Sequence, residues 1–361
     1  MELYVLDENY QATYYLDTFE SLLWAERYNS YGDFEIYTTA DLGLFNKLKI
    51  GYYLVRKDSD YVMIIEDIQI NSDVEDGNEL IITGRSLESI LERRIVWYKT
   101  WISGNFQDGI EYMLNEAIIT PEKTHPGHIN RKIDNFIFER SDDPLITSLT
   151  IDITFRGENL YEAIETMCKS KNVGFKITLN ENNQFVFKLY AGVDRSYDQD
   201  EVPYVIFAPN FDNIINSNYV ETIKPLKTLV LIDVEDKEGI PLYLTAEAPE
   251  GGGTGLNRRE MYLGGGISST DADGNALSDA DYKALAIEKG KEELAKNIRT
   301  KSFEGEVETS RIFRYNEDFF IGDIVQIANE YGIEAKTRVV EVSISQDIHG
   351  IDIHPTFETV E

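Results

Sequence analysis

The chain has 361 residues, which is long enough for two or three domains that each bury a hydrophobic core. Its 22 tyrosines and 17 phenylalanines favour β-strands over helices. The 34 Lys and Arg residues against 65 Asp and Glu residues give a formal net charge of −31, a field that repels phosphate backbones and disfavours a general nucleic-acid binder. We therefore expect a β-rich protein with a solvated acidic surface.

Cysteine and hydropathy narrow the setting of the protein. Cys168 is the single cysteine, so the chain has no internal disulfide and no cysteine-based metal cage. The start, Met1–Tyr4, lacks the basic and apolar regions of a secretory signal, and no stretch approaches the ~18–20 apolar residues that span a bilayer. These features predict a protein made in the cytoplasm, without membrane insertion.

Residues 1–98 predict a first β domain built from hairpins. Residues 31–33 and 75–78 supply the turn chemistry between strands. Ser86 is predicted to N-cap a short helix from Leu87 to about Arg93. The predicted strands are Leu22–Tyr28, Phe34–Tyr37, Tyr52–Arg56, Tyr61–Ile70 and Leu80–Thr83.

Residues 99–204 predict an α+β insertion domain. Apolar residues at helical spacing predict one helix from Phe106 to Ala117 and another from Leu160 to Cys168. The segments Val173–Leu179 and Phe185–Tyr190, on either side of an Asn-rich turn, predict a hairpin packed on the second helix.

Residues 205–250 and 300–361 predict a second β domain, and 251–299 a glycine-rich loop and long helix inserted in it. The glycine runs 251–255 and 264–266 flank a stretch expected to be flexible. Ser278 is predicted to cap a helix that ends near residue 299. The predicted apolar stripe of that helix is Leu277, Ala280, Ala284, Ile287, Leu294 and Ile298.

The two β regions show a weak internal similarity. Ile50-Gly51 leads into a strand, as Ile321-Gly322 does. Ile65-Glu66 opens another strand, as Val340-Glu341 does. The identities are few, so coincidental β-patterning stays open beside the alternative of two related β domains separated by an insertion.

No pattern of residues predicts catalysis. His125 and His128 have metal-ligand spacing, but the Pro-Gly between them favours a surface turn. The run 251–255 lacks the Lys-Ser/Thr of a phosphate loop, and Cys168 lies on an apolar helix face that favours a buried thiol. The loop Asp271–Asp279 alternates oxygen ligands, but its glycine is misplaced for a calcium loop, which favours an acidic turn before a capped helix. We expect no enzyme activity, no cofactor and no metal.

The run from Gly84 to Ile95 resembles the signature of a family of siphophage and prophage tail proteins related to baseplate hubs and to the amino-terminal regions of tail-associated lysins. Further stretches resemble the same family in order along nearly the whole chain. They are Glu26–Tyr28 with Gly32–Glu35, Tyr190–Gly192, Asp194–Ser196 with Gln199, Val205–Phe207 with Phe211–Asn213, Gly255–Glu260 and Ile321–Val325.

The resemblance implies a baseplate-hub-like α+β, β-rich fold, with two tube-type β-barrel domains and α/β domains between them. It implies a homotrimer that forms a pseudo-sixfold ring in the virion tail tip. DNA passes through this ring without specific binding. The expected partners are the tail tube, the distal tail protein and tip or receptor-binding proteins. The residues expected to have a structural or interface role are Gly84, Arg85, Ser86, Arg93, Arg94, Asp194, Arg195, Asn213, Arg258, Arg259, Gly322 and Asp323.

Two alternatives stay open at this point. Arg85, Arg93 and Arg94 can fix local packing, or they can pair with carboxylates of a neighbouring subunit. The protein can also be a carbohydrate-binding receptor-recognition module rather than a hub, because Trp97, Trp101 and the many tyrosines are candidate exposed aromatics. A cell-wall hydrolase is disfavoured because the sequence contains no hydrolase motif.

Overall fold

The computed structural model describes residues 1–73, 77–235, 239–264, 267, 277–307 and 312–360. The chain divides into two compact units. The main unit comprises Met1–Asn218 and Phe303–Glu361, and the inserted unit comprises Tyr219–Ser302. Within the described residues, no helix combines the length and apolarity needed to cross a membrane.

Strands dominate the secondary structure, as the composition predicts. The strands are β1 (Leu3–Leu6), β2 (Ala12–Leu16), β3 (Ser21–Arg27), β4 (Asp33–Thr39), β5 (Tyr53–Arg56), β6 (Val62–Asp73), β7 (Gly77–Ser86), β8 (Thr100–Asn105), β9 (Phe136–Glu139), β10 (Thr150–Phe155), β11 (Gly174–Leu179), β12 (Phe185–Tyr190), β13 (Ile206–Phe207), β14 (Ile214–Thr222), β15 (Leu229–Glu235), β16 (Pro241–Glu247), β17 (Glu260–Gly264), β18 (Thr300–Val307), β19 (Ile324–Ala328), β20 (Glu334–Asp347) and β21 (Gly350–Thr359). The α-helices are α1 (Leu42–Phe45), α2 (Phe106–Leu114), α3 (Pro121–Thr124), α4 (Pro144–Thr147), α5 (Leu160–Ser170) and α6 (Asp279–Ala295).

An eleven-stranded sheet forms the frame of the main unit. Its order is β13-β19-β20-β3-β4-β7-β6-β5-β1-β2, with β21 also paired to β20. The expected β-rich α+β class is confirmed. The two β regions are nevertheless parts of one sheet, because β20 pairs with β3, and the described strand pairs do not close it into a barrel.

The predicted hairpins of the first β region are confirmed. β3 pairs with β4, β5 with β6, and β6 with β7, all antiparallel. In β4 and β7 buried residues alternate with less buried ones, which is the pattern of a sheet with one face on a core. The short helix is a 3-10 helix, Leu87–Arg93.

Ser86 holds the predicted N-cap position, but its side chain does not cap the helix. The Ser86 side chain makes no cap hydrogen bond to the 3-10 helix. Its hydroxyl oxygen instead accepts from the Gly32 N–H at 2.7 Å, and the Ser86 N–H donates to the Gly32 carbonyl at 2.9 Å. Ser86 therefore ties the end of β7 to the turn between β3 and β4.

The α+β part of the main unit follows the predicted elements. Both amphipathic helices are present, and a π-helical turn, Asn115–Ile119, continues the first one. The hairpin β11–β12 is present and gains β9 as a parallel third strand. The helices and the hairpin share one core, which includes Cys168 as a fully buried thiol, as expected.

The inserted unit packs α6 on the sheet β16-β15-β17. Ser278 caps α6 as predicted, because its hydroxyl accepts from the Asp281 N–H at 3.2 Å. The predicted stripe is confirmed in part: Leu294 is buried, and Leu277 and Ile287 pack against the same core. Ala280, Ala284 and Ile298 are instead exposed. The buried face is Tyr282, Ala286, Gly290 and Leu294.

Steric fit explains that face. A Cβ on Gly290 would lie 2.5 Å from Ile232 Cδ1 and 3.0 Å from Val230 Cγ1, so the helix approaches the sheet at its smallest residue. The stretch between the two glycine runs, expected to be flexible, contains β17, which pairs with β15. The glycine run 251–255 before it is also bound to the sheet. The Thr228 hydroxyl donates to the Gly252 carbonyl at 2.8 Å, and the Gly252 N–H donates to Glu247 at 3.1 Å.

Two three-stranded meanders, β5–β6–β7 and β19–β20–β21, have the same strand order. Each begins at a glycine of positive φ, +86° at Gly51 and +92° at Gly322. The Gly51 N–H donates to the Ile65 carbonyl at 2.8 Å, and the Gly322 N–H donates to the Val339 carbonyl at 2.7 Å. The two glycines therefore hold the same place in their meanders.

A β-bulge also recurs at the same place. It falls at Glu66 in β6, directly after the residue bonded to Gly51, and at Val340 in β20, directly after the residue bonded to Gly322. Bulges are specific features of a strand pair rather than random irregularities. The shared order, glycine and bulge favour a true internal repeat over coincidence.

Candidate functional site

The side chain of Tyr28 lies where three segments of the main unit meet. Tyr28 follows β3 and is fully buried. Its hydroxyl donates to the Asn172 carbonyl at 2.8 Å, and its ring meets that of Tyr190 edge-on at 5.3 Å between centroids. The Tyr190 hydroxyl donates back to the Tyr28 carbonyl at 3.2 Å. The first β region and the α+β part are thus joined at this point, here called the Tyr28 junction.

Three glycines make the Tyr28 junction possible. A Cβ on Gly174 would lie 2.5 Å from the Tyr28 ring, and a Cβ on Gly322 would overlap the same ring. A Cβ on Gly192 would overlap the Gly322 carbonyl. The Arg338 guanidinium covers the ring at 4.9 Å and donates to the Gly322 carbonyl at 2.7 Å. Only residues without a side chain allow these close backbone approaches.

Asp323 binds the second β region to the chain segment after β12. Its carboxylate accepts from the Val193 N–H at 2.8 Å, the Arg195 Nε at 2.7 Å and the Phe320 N–H at 3.1 Å. Asp194 next to it pairs with Lys336 at 2.6 Å, which lowers the pKa of Asp194 against the opposing effect of partial burial. Four of the sequence-predicted residues, Asp194, Arg195, Gly322 and Asp323, therefore come together here.

A buried polar network surrounds Glu26, two residues before Tyr28. One Glu26 oxygen accepts from Trp24 Nε1 at 3.1 Å, Ser59 Oγ at 2.5 Å and Arg56 at 3.4 Å. The other accepts from the Tyr315 hydroxyl at 2.6 Å. Together these donors stabilise the Glu26 carboxylate, whose negative charge would be costly to bury without partners. This network joins the first β region to the segment that precedes β19.

Gly84, Arg85 and Ser86 form a second group, at the end of β7. A Cβ on Gly84 would overlap the Ile64 carbonyl. Arg85 pairs with Glu66 at 2.6 Å and with Glu92 at 2.7 Å, and its guanidinium lies 4.9 Å from the centre of the Tyr31 ring. The Glu66 pairing, opposed by partial desolvation, raises the Arg85 pKa. Arg85 therefore has its carboxylate partners within its own chain.

Glu88, inside the 3-10 helix, is a buried acid that motif analysis missed. It accepts from the Ile177 N–H at 2.6 Å, while its second oxygen has no partner among the described residues. Burial raises its pKa from 4.5 to about 7, with hydrogen bonds opposing the shift. The signal in the sequence is a carboxylate inside the apolar run Leu87–Leu91.

Arg93 and Arg94, close to the end of the signature run, line a pocket of about 260 Å³. The pocket, called here the arginine pocket, also includes Glu92, Ile95, Trp97, Asn130 and Arg131. Arg94 Nε donates to the Arg131 carbonyl at 2.8 Å, and Arg131 donates to the Ile95 carbonyl at 2.7 Å.

The histidines His125 and His128 lie closer together than the sequence suggested. Their ring centroids are 5.3 Å apart, and both rings lie against Tyr98. The Pro-Gly turn permits this approach without a helix. His125 Nε2 lies 3.5 Å from a Glu116 oxygen. Among the described residues no group of three or more His, Cys, Asp or Glu side chains is placed to hold a metal ion.

The remaining predicted residues lie apart from these groups. Asn213 closes a local turn by accepting from the Ala208 N–H at 2.8 Å and donating to the Ile206 carbonyl at 2.7 Å. In the inserted unit, Arg258 pairs with Glu260 at 2.6 Å and Arg259 donates to the Ile223 carbonyl at 3.0 Å. Residues 271–276 of the acidic loop Asp271–Asp279 lie outside the described residues.

Three buried groups, Asp323, Glu26 and Cys168, are poorly placed for catalysis. The Asp323 and Glu26 carboxylates are saturated by donors, and burial raises the pKa of the Cys168 thiol well above its ordinary value, which keeps it protonated. A reactive carboxylate or thiol needs access to a substrate, and these three have none.

The fold is that of phage tail proteins. The chain is similar to a tail protein from Neisseria meningitidis MC58 (TM-score 0.57, 14% identity, covering 99% of this chain and 95% of that one). It is equally similar to a 43 kDa tail protein of prophage MuSo2 from Shewanella oneidensis (TM-score 0.58, 13%, 99% and 98%) and to the prophage tail protein gp18 from Listeria monocytogenes EGD-e (TM-score 0.54, 13%, 99% and 94%).

A family model agrees with the fold. The model of the Siphovirus ReqiPepy6 Gp37-like protein family matches residues 2–357. The chain belongs to this family, which confirms the resemblance to siphophage tail proteins. A comparison with curated protein sequences gives no match.

Proposed function

We propose that this protein is a structural component of a siphophage or prophage tail-tip hub, in which three copies form a ring between the tail tube and the distal tip proteins. The observation that carries the proposal is the internal repeat of the two meanders. Two equivalent modules in each of three subunits give six equivalent positions around an axis, a symmetry that matches a sixfold tube.

The repeat indicates where one copy meets the next. In the second meander the edge of β20 at residues 341–346 is covered by β3 of the same chain. When the two meanders are aligned on the glycine and the bulge that they share, the equivalent edge in the first meander is that of β6 from Asp67 to Ser72. No described strand pairs with that edge, since the partners of β6 are β5, at Val62–Ile64, and β7 on its other side. An open strand edge is a template for strand pairing with another chain.

The equivalent of β3 in the second module is β14, because β14 and β18 are paired neighbours that precede the second meander as β3 and β4 precede the first. We infer that β14 of one copy covers the β6 edge of the next, as β3 covers β20 within a copy. Such a head-to-tail contact repeats until the ring closes. The two modules would then be the two tube-type domains of the hub, with residues 99–204 and 251–299 as additions to them.

Charge supports the passage of DNA through such a ring. With a net charge of −31, a lumen formed by this chain repels phosphates, so DNA passes without counterion release. Repulsion between like-charged copies weakens the ring at low salt and is screened beyond roughly 8 Å at physiological salt. The same proposal places the protein in the virion, in contact with the tail tube, the distal tail protein and tip proteins, as a structural component without enzymatic activity.

Cysteine crosslinking tests the contact. Gln69→Cys on the β6 edge is combined in turn with Ile215→Cys, Ser217→Cys and Val220→Cys on β14, at physiological salt and raised protein concentration. We expect one of these pairs to give disulfide-linked trimers, and the buried Cys168 adds little background. The matched control is Ser343→Cys, which takes the position equivalent to Gln69 on the covered β20 edge.

Three outcomes contradict the proposal. They are absence of intermolecular crosslinks from all three pairs, crosslinks that end at dimers, and equal crosslinking from Ser343→Cys. Placement of the subunit off the axis in a reconstructed tail particle also contradicts it.

The alternative function, a carbohydrate-binding receptor-recognition module, has one observation in its favour. Trp97, Tyr98 and Trp101 are exposed to 52, 44 and 61%. Retention of the purified protein on host cell walls that have been stripped of other phage proteins would support this function. Absence of retention would leave the hub as the remaining proposed function.

A further inference from the structure

The arginine pocket brings together three arginines that have no carboxylate partner among the described residues. Arg156, Arg259 and Arg338 also lack such a partner, but each lies outside this pocket. Arg27, Arg56, Arg85, Arg140 and Arg195 all pair with carboxylates. Over the described ranges, Arg93, Arg94 and Arg131 form no ion pair with a carboxylate. Glu92, which also lines the pocket, is already bound to Arg85 at 2.7 Å. Three positive charges therefore lie close together with no described carboxylate at ion-pair distance, although the chain carries 65 acidic residues.

The pocket is built in advance of any ligand. Backbone carbonyls orient Arg94 and Arg131, as described above, and Arg131 lies 5.2 Å from the centre of the Trp97 ring. Each guanidinium has five donors, so most of the N–H groups of the three arginines stay available. Partial burial and the proximity of Arg93 lower the pKa of Arg94. The pKa of Arg131 is also lowered, because burial and the proximity of Arg94 outweigh the opposing effect of the Glu116 charge. An anion would relieve this repulsion.

The other walls of the pocket define the shape of the ligand. Trp97 supplies a flat apolar surface that is half exposed, Ile95 supplies a second apolar contact, and the Asn130 amide offers a donor and an acceptor. A flat aromatic surface beside fixed polar groups suits a ring that has both C–H and hydroxyl groups. At about 260 Å³ the pocket has room for one such ring.

We propose that the arginine pocket binds an acidic saccharide, a pyranose ring carrying a carboxylate or a phosphate. The anionic group lies against Arg93, Arg94 and Arg131, which match the two oxygens of either anion through paired N–H donors. The sugar ring lies on Trp97. This site is independent of the β6 edge and of the ring, so either proposal can fail alone.

Tryptophan fluorescence measures the binding. In a Trp101→Phe background Trp97 is the exposed indole, because Trp24 is fully buried. Glucuronic acid, glucose 6-phosphate, glucose and inorganic phosphate are titrated at constant ionic strength. We expect both acidic sugars to change the Trp97 emission with a Kd of about 1–10 mM, as for a single monosaccharide contact. Glucose and inorganic phosphate are each expected to bind at least about tenfold more weakly.

Substitutions locate the site. Arg94→Gln and Arg131→Gln are each expected to weaken acidic-sugar binding about tenfold or more, the effect of removing one charge-assisted contact. The Arg93 side chain is exposed and makes no hydrogen bond or ion pair with another described residue, so Arg93→Gln serves if either variant fails to fold. The matched control is Arg140→Gln, which removes an exposed arginine paired with Asp108 and Glu111 outside the pocket and should leave binding unchanged.

The results that overturn the proposal are distinct from one another. Equal binding of glucose removes the role of the anion, and equal binding of inorganic phosphate removes the role of the ring. No response to either acidic sugar, or equal loss in Arg140→Gln, removes the site. Tighter binding of a short acidic peptide than of the acidic sugars would assign the pocket to a protein partner instead.

Discussion

The two meanders of the main unit have one backbone plan and two different surroundings. Gly322, in the second, lies under the Tyr28 ring, whereas a Cβ on the equivalent Gly51 would meet nothing within 4 Å. The edge of β20 is covered by β3, whereas the equivalent edge of β6 is open in the described chain. The repeat thus shows which features belong to the module and which belong to its place in the assembly. Glycine and bulge recur because the meander needs them, while the contacts around them differ.

Sequence periodicity predicted the local elements, because hairpins and amphipathic helices follow from nearby residues. The pairing of β3 with β20 joins residues more than 300 positions apart, and no local pattern encodes it. The stripe of α6 was predicted only in part for a related reason. It was chosen by residue hydrophobicity, which leaves out Gly290, although a Cβ at that position would lie 2.5 Å from Ile232 Cδ1 of the sheet.

The candidate site was predicted in part. Asp194, Arg195, Gly322 and Asp323 were identified together by family resemblance, and the structure shows the contacts that unite them. Tyr28 was part of a quoted motif but was not singled out. Its importance comes from glycines that are distant in sequence, and so only the fold reveals it.

The largest expected effect tests a position where the modules differ in chemistry. Arg56 in β5 and its equivalent Ile327 in β19 are 1% and 0% exposed. Arg56→Ile should cost about 3–5 kcal/mol of unfolding free energy, because it leaves the Glu26 charge buried without its cationic partner. Ile327→Val, the matched change, should cost about 0.5–1.5 kcal/mol. Urea unfolding curves measure both, and a cost for Arg56→Ile no larger than that of the control would contradict the role given to the network.

The paired glycines provide the next comparison. Gly51→Ala and Gly322→Ala carry a similar penalty for positive φ, about 1–2 kcal/mol. Gly322→Ala also forces the new methyl group against Tyr28, which adds about 1–3 kcal/mol. Thermal unfolding should therefore show the larger loss for Gly322→Ala. Equal losses would mean that the Tyr28 junction relaxes without cost.

The smallest expected effect concerns Glu88, which packs under the first meander. Its folded-state pKa of about 7 lies above the ordinary 4.5, so between these values the folded protein holds a proton that the unfolded chain releases. This contribution to stability is present below pH 4.5, falls as the pH rises towards 7, and is then fully lost. Glu88→Gln should remove this fall and raise the unfolding free energy at pH 8 by about 1–3 kcal/mol relative to wild type. A wild-type pH profile that the variant reproduces between pH 5 and pH 8 would contradict the assignment.

The pairing of β3 with β20 also determines when this part of the sheet can form during synthesis. Residues 22–27 are made more than 300 residues before their strand partner, residues 341–346. At roughly 5–20 residues per second the early strand waits about 15–60 s for that partner. During this interval β3 can pair with β4 on one edge, while the other edge of β3 has no strand partner and is prone to aggregation. Shielding of that edge, for example by a chaperone, therefore protects the nascent chain until β20 is made.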